Sequence, residues 1–486
     1  MVPFPRSPGR VLRFCLLLLW FGASASAAPT LSEARWRALR TAADPARLYT
    51  LLYALPKGGD LHNHLAGSNL PEWLYACGTD PARNGGDVFY VRARFASPPG
   101  AIDPAQRFAT IRRYQYEALP PADRAEFVPL AELTPAERQI WLDGLRLDQP
   151  GEGRKEFFNV IWARFIPLWR NPVVRLELLA ENLKAYGAEG MVYLETQFDL
   201  NGLADNDGAP IAPEAALPAL RALLARPDVV ASGVTPRFQV TVLRFAPDAE
   251  DKLAEAFAWV DAHRDLWVAI NMAGIEEDGF GYPLRFLEKF RELRARYPEI
   301  KLSIHAGEMD GPDHHIRDTL LLGATRIGHG VNLLKDPDTL LLLQGGERAY
   351  VEVNLISNRL LQYTPDLSRH PFPEFLRTGV PCGLNTDDRG MWDSNLTDEY
   401  YTAVTLFNLS WVELTGLARS SLRHGFLEAE TKEKLLADYE NRLARFESRL
   451  AEGTPTEALD RLAAATRPVT YGYARRNWGL AFPAAP

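Results

Sequence analysis

Cysteine is nearly absent. The 486 residues hold three, and Cys15 falls in a leader-like stretch, which leaves Cys77 and Cys382. Two thiols make at most one bridge, so disulfides cannot be the main support of a chain this long, and their spacing fits no cysteine-rich zinc motif. Basic blocks are missing too: 54 Lys and Arg stand against 62 Asp and Glu, for a formal net charge of −8. An acidic chain without a basic run argues against general nucleic-acid binding. The longest strongly apolar run, "FCLLLLWFGA" (14–23), is about half of the roughly 20 residues a spanning helix needs, which argues against a stable membrane anchor. There is no Gly-x-Ser-x-Gly elbow, phosphate-binding loop, internal repeat or low-complexity tract to assign chemistry to.

What is present begins with that leader. Arg6, Arg10 and Arg13 precede the apolar run, and "ASASAA" (23–28) follows it with an Ala25-Ser26-Ala27 cleavage pattern, so residues 1–27 read as a signal peptide and the mature chain is expected to be periplasmic or secreted. Cleavage would take the formal charge from −8 to −11, since the leader holds three arginines and no acid. The remainder, with 47% hydrophobic and 24% charged residues over the whole chain, has the composition of a globular protein.

Residues 28–56 read as an N-terminal helical segment. Beyond them, short apolar or β-branched runs recur at 58–65, 190–198, 236–245, 266–274, 300–308, 326–333, 349–356 and 379–386, separated by amphipathic stretches such as 246–265 and 283–298. Strand alternating with helix implies parallel pairing with crossovers, and eight strands imply an α/β (β/α)8 TIM-type barrel over about 57–395. Two regions exceed a minimal barrel: a helical insertion after the first strand, about 80–185, and C-terminal helices over 396–486, "EAETKEKLLADYENRLARFESRLAEG" (428–453) being the clearest. The insertion is expected over the barrel mouth, and the C-terminal helices against the barrel's side.

The chemistry sits at strand ends. In "HNH" (62–64), residues two apart on a strand share a face, so His62 and His64 would project together at the end of a barrel strand, where barrel enzymes place their sites. His305 and Glu308 end the fifth strand in "SIHAGE", His329 lies in "RIGHG", and Asp387-Asp388 end the eighth in "LNTDD". His62, His64, His305 and Asp387 form a donor set for one Zn2+ with a position left for water. Such a metal brings the pKa of its water toward neutrality. Glu308 is placed to carry protons, and His329 to orient the nucleophile and stabilise developing negative charge. Each has a plainer alternative: a satisfied core histidine for His329, a helix N-terminal acid for Glu308, a turn pair for Asp387-Asp388. His314-His315 in "GPDHHIRD" reads as surface or substrate rim, and Cys382 as a small buried hydrophobe.

The set "HNH", "HAGE", "RIGHG" and "NTDD", in this order from about Lys57 to Asp388, resembles the adenosine deaminase family of metal-dependent hydrolases. With "EVNLISNRLL" (352–361) and the leader, the chain is most similar to the secreted, growth-factor-related branch and its bacterial relatives. The resemblance implies a purine substrate and hydrolytic deamination at C6, with adenosine giving inosine and ammonia. It implies His62, His64, His305 and Asp387 as zinc ligands, Glu308 as the acid at purine N1, His329 beside the attacking hydroxide and Asp388 against the hydroxide or N7. It also implies Gly274 in "NMAG" against N3 and His64 on the substrate side of the metal; without it, Gly274 reads as a tight strand-to-loop turn. One departure stands out. After the second histidine the family carries Leu-Asp, whose aspartate helps hold the ribose, whereas here the sequence is Leu65-Ala66. The sequence therefore also admits adenine or a modified adenosine as substrate, and a binding or signalling relative that has lost catalysis; a homodimer is left open.

Overall fold

The eight apolar runs become eight parallel strands: β1 Gly59–His64, β2 Tyr193–Gln197, β3 Thr235–Leu243, β4 Trp267–Ala273, β5 Lys301–Ala306, β6 Arg326–His329, β7 Tyr350–Val353 and β8 Cys382–Leu384. The structure is a computed structural model that describes residues 31–482 except 96–101, 277, 278, 280, 310 and 345–347; the leader read at 1–27 lies outside the described residues. Every strand pairs in parallel with its sequence neighbour. Closure comes just beyond the end of β8, where the Asp387 N–H donates to the His62 carbonyl at 2.9 Å and the His64 N–H donates to the Asp387 carbonyl at 3.1 Å. The chain is thus the predicted (β/α)8 barrel. Its strands are covered on the outside by helices and filled within, which is why they read as apolar runs rather than as polar–apolar alternation.

Between β1 and β2 the insertion is mixed rather than purely helical. It includes a three-stranded antiparallel sheet of Phe89–Arg92, Thr110–Arg112 and Phe127–Pro129. The long helix Pro172–Ala188 closes it, started by the Asn171 side chain, which accepts from the N–H groups of Val173 and Val174, with Pro172 in the first turn. The insertion has its own core, and Phe89, Trp141, Phe157 and Leu168 there are packed with Ile356, Leu361, Met391 and Trp392 from the loops after β7 and β8. Those loops rim the C-terminal face of the barrel, so the insertion sits on that face.

At the other end of the chain, helix Ala429–Ala451 buries Leu435, Tyr439, Leu443, Phe446 and Leu450, a stripe at helical spacing. Helix Trp411–His424, opened by a Ser410–Glu413 capping box, packs on β1 and β8. Gly58 is what lets β1 approach it: a Cβ there would stand 2.1 Å from the Ala418 carbonyl oxygen. Cys77 and Cys382 are both buried free thiols. Among the described residues, no helix is long and apolar enough to cross a membrane.

The barrel interior is charged where an apolar filling would be the default. Arg326, Glu195 and Glu352 are all buried. The Arg326 guanidinium bonds Glu195, and its Nε lies 2.6 Å from Glu352 Oε1. Tyr193 and Gln239 donate to Glu195, and Ser303 donates to Glu352, so no carboxylate in the group is left to burial alone.

Candidate metal and catalytic site

β1 delivers its two histidines to one face as its two-residue period requires, and they meet residues from the ends of β5, β6 and β8. His64 Nε2 lies 3.2 Å from His305 Nε2 and 3.2 Å from Asp387 Oδ1, and His62 Nε2 lies 3.4 Å from the same Asp387 oxygen. Donors at 2.0–2.1 Å around a tetrahedral zinc stand about 3.3 Å apart, so these three separations match three of the six edges of such a site. His62 Nε2 is also buried without a hydrogen-bond partner, an orphaned lone pair that a bound cation would satisfy. His62, His305, His329 and Asp387 each offer one ligand atom within 4.8 Å of the others, and His64, Asp387 and Asp388 form an overlapping set. His64 and His329 thus both stand close enough to the His62, His305 and Asp387 group to be its third imidazole.

Three of the rings are aimed from behind. His62 Nδ1 is 2.7 Å from Glu352 Oε2, His305 Nδ1 is 2.9 Å from Asn271 Oδ1, and His329 Nδ1 is 2.9 Å from Asn358 Oδ1. An acceptor on Nδ1 keeps the proton there and leaves the Nε2 lone pair facing the centre. Burial, reinforced by the neighbouring imidazoles, holds His305 well below its ordinary pKa. Burial lowers His64 as well, against the pull of Asp387. For His62 burial acts in the same direction but is outweighed by Asp387 and Glu352, which raise it to about 10, so an incoming metal displaces its proton. Changing Glu352 to glutamine is expected to weaken metal affinity by about 10–100-fold, read by competition with a chromogenic chelator; unchanged affinity would mean that Glu352 does not orient His62.

The adjacent acids divide their roles. Burial would raise Asp387, but hydrogen bonds to His62 and His64 hold it well below the usual carboxylate range. Asp388 is pushed well above that range by burial and by Asp387 beside it. The opposite directions set Asp387 apart as the ligand-type carboxylate of the pair. Gly67 makes room for it, since a Cβ there would stand 1.7 Å from Asp388 Oδ1. Asp387 and His329 both have positive φ, 55° and 66°, a conformation that costs non-glycine residues on the order of 1–3 kcal/mol and that clusters at functional sites.

All of this opens into one cavity of about 510 Å³. His64, Gly274, His305, Glu308, His329, Asp387 and Asp388 line it, with His62 directly behind. The insertion contributes Phe157, Phe158, Trp162, Ile166 and Trp169, carried by the π-helical turn Phe157–Ile161 and the helix Trp162–Trp169 that continues it. Ala66 lines the cavity too. His315 departs from the surface reading. It is 3% exposed, while the His314 side chain remains 58% exposed, because His315 is the first residue of helix His315–Leu321 and faces inward.

Sequence reasoning passed over Glu352, Asn271, Asn358, Arg326, Arg244 and Glu276. Glu352, Arg326 and Asn271 lie inside quoted motifs, and the available signal was a charged or amide side chain in a strand with no exposed face.

A sequence model for a family described as adenosine deaminase matches residues 169–441. That stretch begins after β1, so His62 and His64 join the site through the geometry above. An adenine deaminase of Chelativorans sp. (strain BNC1) is 32% identical over 268 residues, covering 54% of this chain and 77% of that one. An adenosine deaminase of Erwinia tasmaniensis is 31% identical over 257 residues, covering 52% and 73%. Among solved structures, an amidohydrolase from Burkhoderia ambifaria with bound Zn superposes with a TM-score of 0.59 at 19% identity, over 84% of this chain and 95% of that one.

Proposed function

The chain belongs to the adenosine deaminase family, and from that premise we propose that it hydrolyses the C6–N6 bond of adenosine, releasing ammonia and leaving inosine. A metal-dependent aminohydrolase acting on purines is what membership establishes. The observation that supports the hydrolytic reading is the 3.2–3.4 Å convergence of His62, His64, His305 and Asp387 beside Glu308. These four would hold the metal. Imidazole and carboxylate donors at tetrahedral spacing favour zinc, and the metal when bound supplies an activated water at neutral pH.

The other residues follow from their surroundings. Glu308 Oε1 accepts from Arg244 at 2.9 Å, leaving Oε2 to carry a proton to ring N1, which makes C6 a better electrophile. His329, its Nδ1–H donated to Asn358, turns the Nε2 lone pair to the attacking water, orients it and takes up its proton, and the imidazolium so formed stabilises the negative charge that develops. Asp388 faces N7, and the Gly274 backbone flanks N3. A side chain at Gly274 is excluded both by its φ of +106° and by the Phe245 ring, 2.5 Å from where a Cβ would lie. The aromatic wall from the insertion excludes bulk water. A protein that only bound purine would have no use for Glu308 at this point. The reading as an exported enzyme rests on residues 1–27 alone.

A second reading, adenine as substrate, is favoured by Ala66, whose methyl group lines the cavity where the resemblance calls for a ribose-holding carboxylate. Ammonia release from adenosine, N6-unsubstituted adenine and methylamine release from N6-methyladenosine separate the cases. Adenosine is expected to turn over fastest; activity on adenine with none on adenosine would overturn the first reading in favour of the second.

A further inference from the structure

We propose that Arg244 and Glu276, neither of which reaches the metal-ligating atoms, are positioning residues that fix Glu308 for proton transfer, an inference that rests on the deaminase reading above. Arg244 directly follows β3 and Glu276 lies three residues beyond β4, so they reach Glu308, which follows β5, from the two preceding strand ends. Both are buried.

Arg244 ties three strand ends together with one plane. Its Nη1 donates to the His305 carbonyl at 2.6 Å, its Nε to the Gly274 carbonyl at 2.9 Å and its Nη2 to Glu308 Oε1 at 2.9 Å. A guanidinium can do this because its donors are rigidly coplanar, and a lysine ammonium has no equivalent fork. Through these bonds the backbone carbonyl of Gly274, the ligand-bearing end of β5 and the carboxylate of Glu308 are held at fixed separations.

Glu276 grips the same turn through its backbone. Its Oε1 accepts from the Gly307 N–H at 3.1 Å and its Oε2 from the Glu308 N–H at 3.1 Å. The turn needs holding: Gly307 has a φ of +69°, and a Cβ there would stand 2.4 Å from Asn332 Oδ1. His315 Nδ1, 3.3 Å from Glu276 Oε1, closes the group from behind. Burial and the nearby Glu308, against Arg244, push the Glu276 carboxyl up to about 8, while burial and Arg244 push His315 down to about 3. Without the clamp the Glu308 carboxyl would still be present but free to turn away, and a misplacement of about 1 Å in such a group costs on the order of 10²-fold in rate.

The test uses the full-length metal-loaded enzyme. Arg244→Ala is expected to lower kcat about 10²-fold with KM for adenosine changed less than about threefold and metal content unchanged, and added guanidinium is expected to restore part of that loss. Glu276→Gln is expected to lower kcat by a smaller factor and to speed amide hydrogen exchange at Gly307 and Glu308, which requires no turnover. The inference is overturned by kcat within about threefold of the parent in both variants. Loss of metal together with activity, absence of guanidinium rescue, or unchanged exchange at those two amides would each overturn it as well. If the parent releases ammonia from no 6-aminopurine, the substrate reading fails by itself, and the exchange measurement still decides whether Glu276 holds the turn.

Discussion

Glu308→Gln is expected to lower ammonia release from adenosine by about 10²–10⁴-fold, the range for losing a positioned general acid. The glutamine carbonyl oxygen can still accept from Arg244, as Glu308 Oε1 does at 2.9 Å, so the side chain keeps its place. What it loses is a transferable proton. Metal content should not change, because Glu308 belongs to none of the three groups of described side chains close enough to share a metal, and KM should move little if the acid acts mainly in the transition state. Steady-state kinetics alongside metal analysis checks this. Turnover near the parent value would remove the acid role from Glu308, whereas loss of metal would mean that Glu308 supports the ligands.

Arg326→Leu is expected to cost about 3–5 kcal/mol of stability, as when one partner of a buried ion group is removed. The guanidinium is 1% exposed, lies against Glu195 and Glu352, and stacks on Phe426 with its carbon 3.9 Å from the ring centre. Deleting it leaves two carboxylates facing each other across the barrel interior. Tyr193 and Gln239 still donate to Glu195, and Ser303 and His62 face Glu352, which moderates the loss at Glu352, where His62 is held protonated, and leaves Glu195 with hydrogen bonds in place of the guanidinium. Urea unfolding of the metal-free protein measures the cost. Metal affinity should fall in the same variant, because Glu352 is the group that holds His62. A variant that unfolds at the parent's urea concentration would show that this ion group adds nothing to the fold.

The barrel was legible because its strands are short, apolar and end in chemistry. "KLSIHAGE" reads as a strand with a ligand at its end because Leu302 and Ile304 are core residues and His305 is the first group at the mouth. The mouth residues could be found from position in the strand alone. The residues behind them could not: Glu352 and Arg326 also lie in strands, but their partners are on other strands, and pairing across a barrel interior leaves no trace in local periodicity. The small sheet of the insertion escaped for another reason. Its strands are three or four residues long, too short for alternation to show, and they were absorbed into a helical reading of the aromatic-rich insertion. His315 shows the limit of loop chemistry: a Gly-Pro-Asp turn marks where a chain turns, and says nothing of whether the next helix faces outward or in.

The hydrogen bonds at Asp387 give the site a place in time as well as in space. Asn63 and Asp387, which bridge the ends of the sheet, are 324 residues apart in the chain. As the chain is synthesised, at about 5–20 residues per second, His62 and His64 emerge tens of seconds before the carboxylate that completes their set. No shorter nascent chain holds the four proposed donors, so the proposed hydrolytic centre can be assembled only when the last strand docks against the first.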